Sequence, residues 1–359
     1  MRDYLRRTVD LATSTSAQAL QSYAVFLVLL AICIGLSAVS DVFPTIDNIG
    51  NISEQVSVVG VAAMGMTLLL VSGNIDLSVG GQVALIGVVV ATVSNYTDVV
   101  VGVLAGILVG GALGTLNGII VTWFSVNSLV ATLGSGLAFG GAAFLLSGSQ
   151  PIVLVDRTLQ IAMNLRLLRV PVPTYLFAAV IVGATWFLHS TVGGRELFAV
   201  GANPEAARYA GLRVDRVRFV PFVIMGLLCA LASLILTGLL NTADPGAGAR
   251  LPLDVIAATV VGGVSIMGGR GTVFMAVVGV LLIGVVSNGF NLLGLDPNYQ
   301  SIFSGIIIVV AVAVDSALQK RAARLRPAGM ARMEQRRPPS DSAVSLGDRE
   351  REPADRTNA

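Results

Sequence analysis

VSVVGVAAMGMTLLLVSGNIDLSVGGQVALIGVVVATVSNYTDVVVGVLAGILVGGALGTLNGIIVTWF, residues 56–124, decides the fold. It carries two charges, Asp76 and Asp98, and from Gln55 to Val155 there are no others. A stretch of about one hundred such residues cannot form a water-facing surface. The whole 359-residue chain is 54% hydrophobic and 12% charged, with a mean hydropathy of +0.81, whereas a soluble domain is roughly 25% charged. An all-α, polytopic membrane protein is therefore expected. The net charge of +2 says little about partners. Cys33 and Cys229 both fall in apolar blocks and read as core residues, with neither a disulfide framework nor a metal site.

Ten apolar blocks can be drawn, at 23–40, 56–73, 79–95, 99–124, 127–147, 173–190, 219–240, 253–267, 273–293 and 300–318. Crossing a hydrocarbon core about 30 Å thick takes about 20 residues. The block at 253–267 is short for that, so a tilted, broken or re-entrant segment is expected there. Residues 1–22 form a polar N-terminal segment with Arg2, Arg6 and Arg7, residues 23–318 the transmembrane domain, and residues 319–359 a basic, then Pro- and Ser-rich tail expected to be disordered. If all ten blocks cross, one side collects thirteen Lys and Arg residues and the other only Arg157, Arg166, Arg169 and Arg250. The positive-inside rule then places both termini in the cytoplasm. The segment bounded by Pro151 and Pro173 falls on the outer side in that topology and is long enough to hold structure of its own.

On the cytoplasmic side lies TVGGRELFAVGANPEAARYAGLRVDRVR, residues 191–218, a long patterned polar segment between two spans. Asn203 to Gly211 reads as a complete short helix. Asn203 is the N-cap, Pro204 the first helical residue, Glu205 an anion in the first turn and Gly211 the stop. A finished helix standing in a loop is a handle for another protein. The alternative is a helix resting on lipid headgroups, for which Ala206, Ala207 and Ala210 offer little apolar area.

Inside the bilayer, Gly102, Gly106, Gly110, Gly114 and Gly118 leave one helix face without side chains over about 24 Å. Another helix must lie against it, as plain close packing or as a sliding surface. Two polar interruptions break the apolar pattern: residues 73–81, with Asn74, Asp76 and Ser78, and a stretch from Asn241 to Asp254 that continues to Gly271. Irregular backbone at this depth must be buried in protein or line an aqueous cavity. Asp76 precedes Leu116-Asn117-Gly118 much as Asp254 precedes Ser287-Asn288-Gly289, and the two units start five spans apart, so a pair of inverted repeats is expected. Asp76 and Asp254 either cap helices or line a solute path; Asn117 and Asn288 either line it or bond neighbouring helices.

GNIDLSVGGQVAL (73–85), LGTLNG (113–118), NSLVATLG (127–134), VGANPEAARYAGL (200–212), ADPGAGARLPLDVIAATVVGG (243–263), MGGRGTV (267–273) and SNGFNLLG (287–294) occur in that order. Together they closely resemble the permease subunit of ribose-type ABC sugar importers, over about residues 47–317. The resemblance implies a multi-pass protein of the bacterial inner membrane that translocates a monosaccharide or similar small polyol by alternating access. It also implies a second permease, identical or paralogous, two cytoplasmic ATPase subunits and a periplasmic sugar-binding protein. ATP and Mg would be held by the ATPases, with no cofactor on this chain. The helix formed by Asn203, Pro204, Glu205, Ala206, Ala207, Arg208 and Gly211 matches the coupling helix that seats in the ATPase. The candidate translocation path comprises Asn74, Asp76, Ser78, Asn117, Asp254 and Asn288.

The residues also exclude activities. Lys320 is the single lysine, and Gln319 precedes it, so the chain has no GxxxxGK[ST] phosphate loop. His189 is the only histidine, no HExxH is present, and nothing favours an enzyme or a nucleic-acid partner. The competing reading is an ion-coupled secondary transporter of a small polar solute, which would also use inverted repeats and broken helices and would place its ion site at Asp76 or Asp254.

Overall fold

The computed structural model describes residues 25–296 and, beyond them, 298–300, 302, 303, 305, 306, 309 and 313. The 1–22 segment, most of the tenth apolar block and the 319–359 tail lie outside the described residues. The described part is all-α apart from two short strand pairs: α1 (Val25–Val39), α2 (Ile46–Val71), α3 (Val79–Tyr96), α4 (Val99–Thr122), α5 (Ser128–Leu146), α6 (Thr158–Asn164), α7 (Val172–Ser190), α8 (Val192–Ala202), α9 (Pro204–Tyr209), α10 (Val214–Leu240), α11 (Leu251–Gly262) and α12 (Val273–Leu292). Seven of these, α2, α3, α4, α5, α7, α10 and α12, are long and apolar enough to cross a membrane. The 12-residue α11 is about 18 Å long. It cannot cross alone, which fits the short block expected there.

Helix starts follow local capping. α2 begins ten residues before its apolar block because the Thr45 hydroxyl accepts from the Asn48 N–H at 3.3 Å. The Asp98 carboxylate accepts from the N–H groups of Val100 and Val101 at 2.8 and 3.0 Å, starting α4 with only two residues between it and the end of α3. The Pro-bounded segment does hold structure: α6 and the antiparallel pair β2 (Arg166–Leu167) and β3 (Val170–Pro171), turned through positive φ at Leu168 and Arg169. Its Arg166 donates to Asn51 at 2.9 Å and lies 3.7 Å from Asp47.

Two ends of the bundle can be told apart. At one, α3 finishes beside β1 (Ile152–Val153), which pairs antiparallel with β4 (Thr242–Ala243); Asn95 bonds the backbone of Val153 and Val155, each at 2.9 Å. At the other, α2 finishes at Val71 against Gly201 of α8. The α3–α4 turn lies at the first end and the α11–α12 connection at the second, with Gly268 and Gly269 against Gly201 and Ala202. The two hairpins therefore open in opposite directions, as inverted units require.

The α4 glycine face is filled by two helices. A Cβ on Gly102 or Gly106 would meet Ser94 or Val90 of α3 at 2.0 and 2.4 Å. On Gly110, Gly114 or Gly118 it would meet Gly226 O, Phe222 O or the Phe219 ring of α10 at 2.5, 2.4 and 2.7 Å. Close backbone approach recovers dispersion contacts that lipid cannot supply. By contrast, α2 is buried along most of its length, while α4, α5 and α7 leave much of theirs open.

Candidate functional site

The first interruption forms a buried polar cluster. Between α2 and α3 the chain runs extended through Gly73, whose φ of +79° lets it leave the helix. Asp76 Oδ1 accepts from the Ser78 N–H at 2.8 Å and from the Ser78 hydroxyl, and Oδ2 accepts from Gln82 Nε2 at 3.1 Å. Ser78 Oγ in turn accepts from Gln82 Nε2 and from Asn117 Nδ2, both at 2.7 Å. Asp76, Ser78, Gln82 and Asn117 are all fully enclosed. Thr132 of α5 closes the other side, its hydroxyl accepting from the Leu77 N–H at 2.9 Å. Gln82 Oε1 and Asn117 Oδ1 are buried without a hydrogen-bond partner among the described residues.

Asp76, Ser78 and Asn117 thus come together, with Gln82 as a fourth member that sequence reasoning missed; its position one turn after Ser78 was the available signal. Asn74 is adjacent but bonds Ser72 Oγ, at 3.0 Å. Asp254 stands half-buried in the first turn of α11, on a different element. Asn288 is far from the cluster and pairs reciprocally with Asn48 of α2, at 3.1 and 2.9 Å, as interhelical bonding. The i to i+2 turn made by Asp76 is repeated in the second interruption by Asp244, which accepts from the Gly246 N–H at 2.8 Å. The two interruptions touch backbone to backbone, since a Cβ on Gly80 would meet Gly248 O at 2.2 Å.

At the α8–α9 end, the short helix forms as its sequence dictates. Asn203 Oδ1 accepts from the Ala206 N–H at 3.0 Å, Pro204 is the first residue and Glu205 stands in the first turn. At its C-terminus the Gly211 N–H donates to Arg208 O and the Leu212 N–H to Ala207 O, each at 3.0 Å, with Gly211 at φ +86°. This is the Schellman arrangement. Ala207, 5% exposed, points inward among Val200, Val214 and Leu212 and anchors the helix. Glu205, Ala206, Arg208 and Tyr209 face outward. Arg208 lies 3.7 Å from Asp215, both exposed. Tyr209, 93% exposed, was not singled out from sequence. Nor was α8, whose Leu197 and Val200 face the core and whose Thr191 hydroxyl accepts from the Gly194 N–H at 3.0 Å.

A bundle of apolar helices with two opposed, interrupted hairpins and a capped helix standing clear at one end is the architecture of a membrane permease. Residues 48–312 match the family described as branched-chain amino acid transport system, permease component. The chain belongs to that family. It is 36% identical over 307 residues to the ribose import permease protein RbsC of Escherichia coli strain K12, covering 83% of this chain and 94% of that one. It is 37% identical to RbsC of Bacillus subtilis strain 168, covering 82% and 93%, and 34% identical to the L-arabinose transport system permease protein AraH of Escherichia coli strain K12, covering 77% and 85%. No solved structure matches. These relatives are permease components of transport systems and not enzymes, and they set aside the ion-coupled reading in favour of the ABC permease.

Proposed function

We propose that this chain is the transmembrane subunit of an importer for a neutral monosaccharide or small polyol, driven by separate ATPase subunits that dock on α9. The observation that carries the reading is the finished, outward-facing helix α9, with both ends capped and one buried alanine fixing it to the bundle. Such a helix offers a rigid small-residue surface, and Glu205, Arg208 and Tyr209 supply charged and aromatic contacts at its edge. ATP and Mg belong to the ATPases. A periplasmic binding protein delivers the solute at the β1–β4 end, a second permease, identical or paralogous, completes the path, and both termini face the cytoplasm.

The relatives named for ribose and arabinose support a sugar over an amino acid. So does the chemistry: an amino acid carries both signs of charge, whereas residues 55–155 hold two aspartates and no cation. The test has two parts. A tagged chain isolated gently from its native membrane is expected to bring down a P-loop ATPase, and the double variant Ala206→Asp, Tyr209→Asp is expected to lose it at an unchanged permease level. In vesicles containing the recovered complex, labelled pentose should accumulate with ATP and labelled leucine should not. Recovery of the ATPase by both chains would remove α9 as its seat; leucine uptake would overturn the substrate class.

A further inference from the structure

The end of α8 meets both interruptions at one point, and it does so through backbone. A Cβ on Gly201 would lie 1.8 Å from Val71 O and 2.7 Å from Gly269 N. The Gly269 N–H donates to that same Val71 carbonyl at 2.9 Å. A Cβ on Gly268 would lie 2.7 Å from Gly201 O and 3.0 Å from Gly73 Cα, and one on Gly269 would lie 2.6 Å from Ala202 Cα. Val71 and Gly73 open the first interruption; Gly268 and Gly269 belong to the loop between α11 and α12. Gly201 precedes α9 by three residues.

We infer that Gly201 is the positioning residue that delivers displacement of α8–α9 to both inverted units at once. The inference rests on the reading of α9 as the ATPase seat. Its physical basis is the absence of side chains at the contact. A side chain between two elements can change rotamer and absorb a shift, whereas main-chain atoms in van der Waals contact and closed by a hydrogen bond pass it on. The glycines at 73, 268 and 269 hold positive φ of 79, 86 and 69°, so that conformation requires glycine at all three, and space requires it at 268 and 269 as well. Gly201 lies inside α8 and needs glycine for space alone. When α9 is drawn toward its partner, the ends of α2 and of the α11–α12 loop follow as one body, and α5, on the far side of the cluster, does not.

The test uses the whole complex of permease, ATPase and binding protein in lipid nanodiscs, with paired spin labels on exposed residues. The Ala199-to-Met267 distance should stay constant within about 2 Å between the ATP-bound and nucleotide-free states, while Ala199-to-Leu137 changes by more than that. An Ala199-to-Met267 distance that opens with nucleotide overturns the inference, as does a complex in which neither distance changes during transport. Gly201→Ala provides the functional arm. It should leave ATPase co-purification and basal hydrolysis intact while transport and stimulation of hydrolysis by the binding protein fall at least tenfold. Transport at the native rate with Gly201→Ala refutes the role, whereas retention of the ATPase by the Ala206→Asp, Tyr209→Asp variant refutes the reading of α9 instead.

Discussion

The two interruptions follow one plan with different fastenings. In the first, residues 73–78 are held by side chains: a buried carboxylate takes two donors from Ser78 and one from Gln82, and Asn117 and Thr132 reach in from α4 and α5. In the second, Asp244 makes the same turn but is exposed, accepting from the Gly246 N–H. Gly248 packs there against Gly80, and the α11–α12 pair that follows packs by main chain, Gly262 against Met275 O and Gly279 against Ala258 O, although Asn241 Nδ2 donates to Leu154 O and the Met267 N–H to Ser265 Oγ. Hydrogen-bonded side-chain networks fix one geometry, because each unmade bond in a low-dielectric interior is costly. Glycine contacts fix a distance, and where no hydrogen bond closes them, as between Gly248 and Gly80, they set no single register. The first interruption is therefore fixed within itself by side chains, and the second is packed more by main chain.

The largest effect expected from this contrast is that of Asp76→Ala, which strands the Ser78 N–H in the interior and takes from Gln82 Nε2 one of its two acceptors. A destabilisation of about 3 kcal/mol is expected, read as a lower melting temperature in detergent and reduced membrane yield. Asp76→Asn should be milder, about 1 kcal/mol, because Oδ1 survives and the buried Gln82 Oε1 can turn to accept from the new amide; melting as low as that of the alanine variant would show that charge and not hydrogen bonding holds the first interruption. Asn288→Ala, which leaves Asn48 only its bond to Phe43 O, should also lose about 1 kcal/mol, with transport per folded molecule unchanged. Asp244→Ala should cost about 0.5 kcal/mol or less. If it equals Asp76→Ala, the two interruptions are fastened alike and the contrast fails.

The sequence carried the fold because its signals were local. Charge depletion over 55–155 shows the membrane class without any knowledge of contacts, and the fourfold glycine spacing of α4 requires a close neighbour. The α9 helix was fully legible, since caps and stop lie within nine residues of one another. Legibility ended where a residue's role depends on a distant partner. Asn117 and Asn288 look alike in their motifs, yet one bonds Ser78 and the other Asn48. Asp254 was matched to Asp76 by spacing, whereas the turn geometry is shared with Asp244. Helix α8 was obscured by Gly193, Gly194 and Gly201, which argue against a helix until packing around Leu197 and Val200 outweighs their propensity.

The pair formed by Asn48 and Asn288 sets a clock on biosynthesis. Its members are 240 residues apart, and ribosomes add roughly 5–20 residues per second. For something like ten to fifty seconds the Asn48 amide sits in the nascent protein with its eventual partner not yet made. The α2 end carrying it starts only after Thr45, beside the polar residues Asp47 and Asn51, where water or headgroups can serve it in the interval. Among the described residues, the last long helix, α12, then latches onto α2, and until it does the Asn48 amide is left with the Phe43 carbonyl five residues before it.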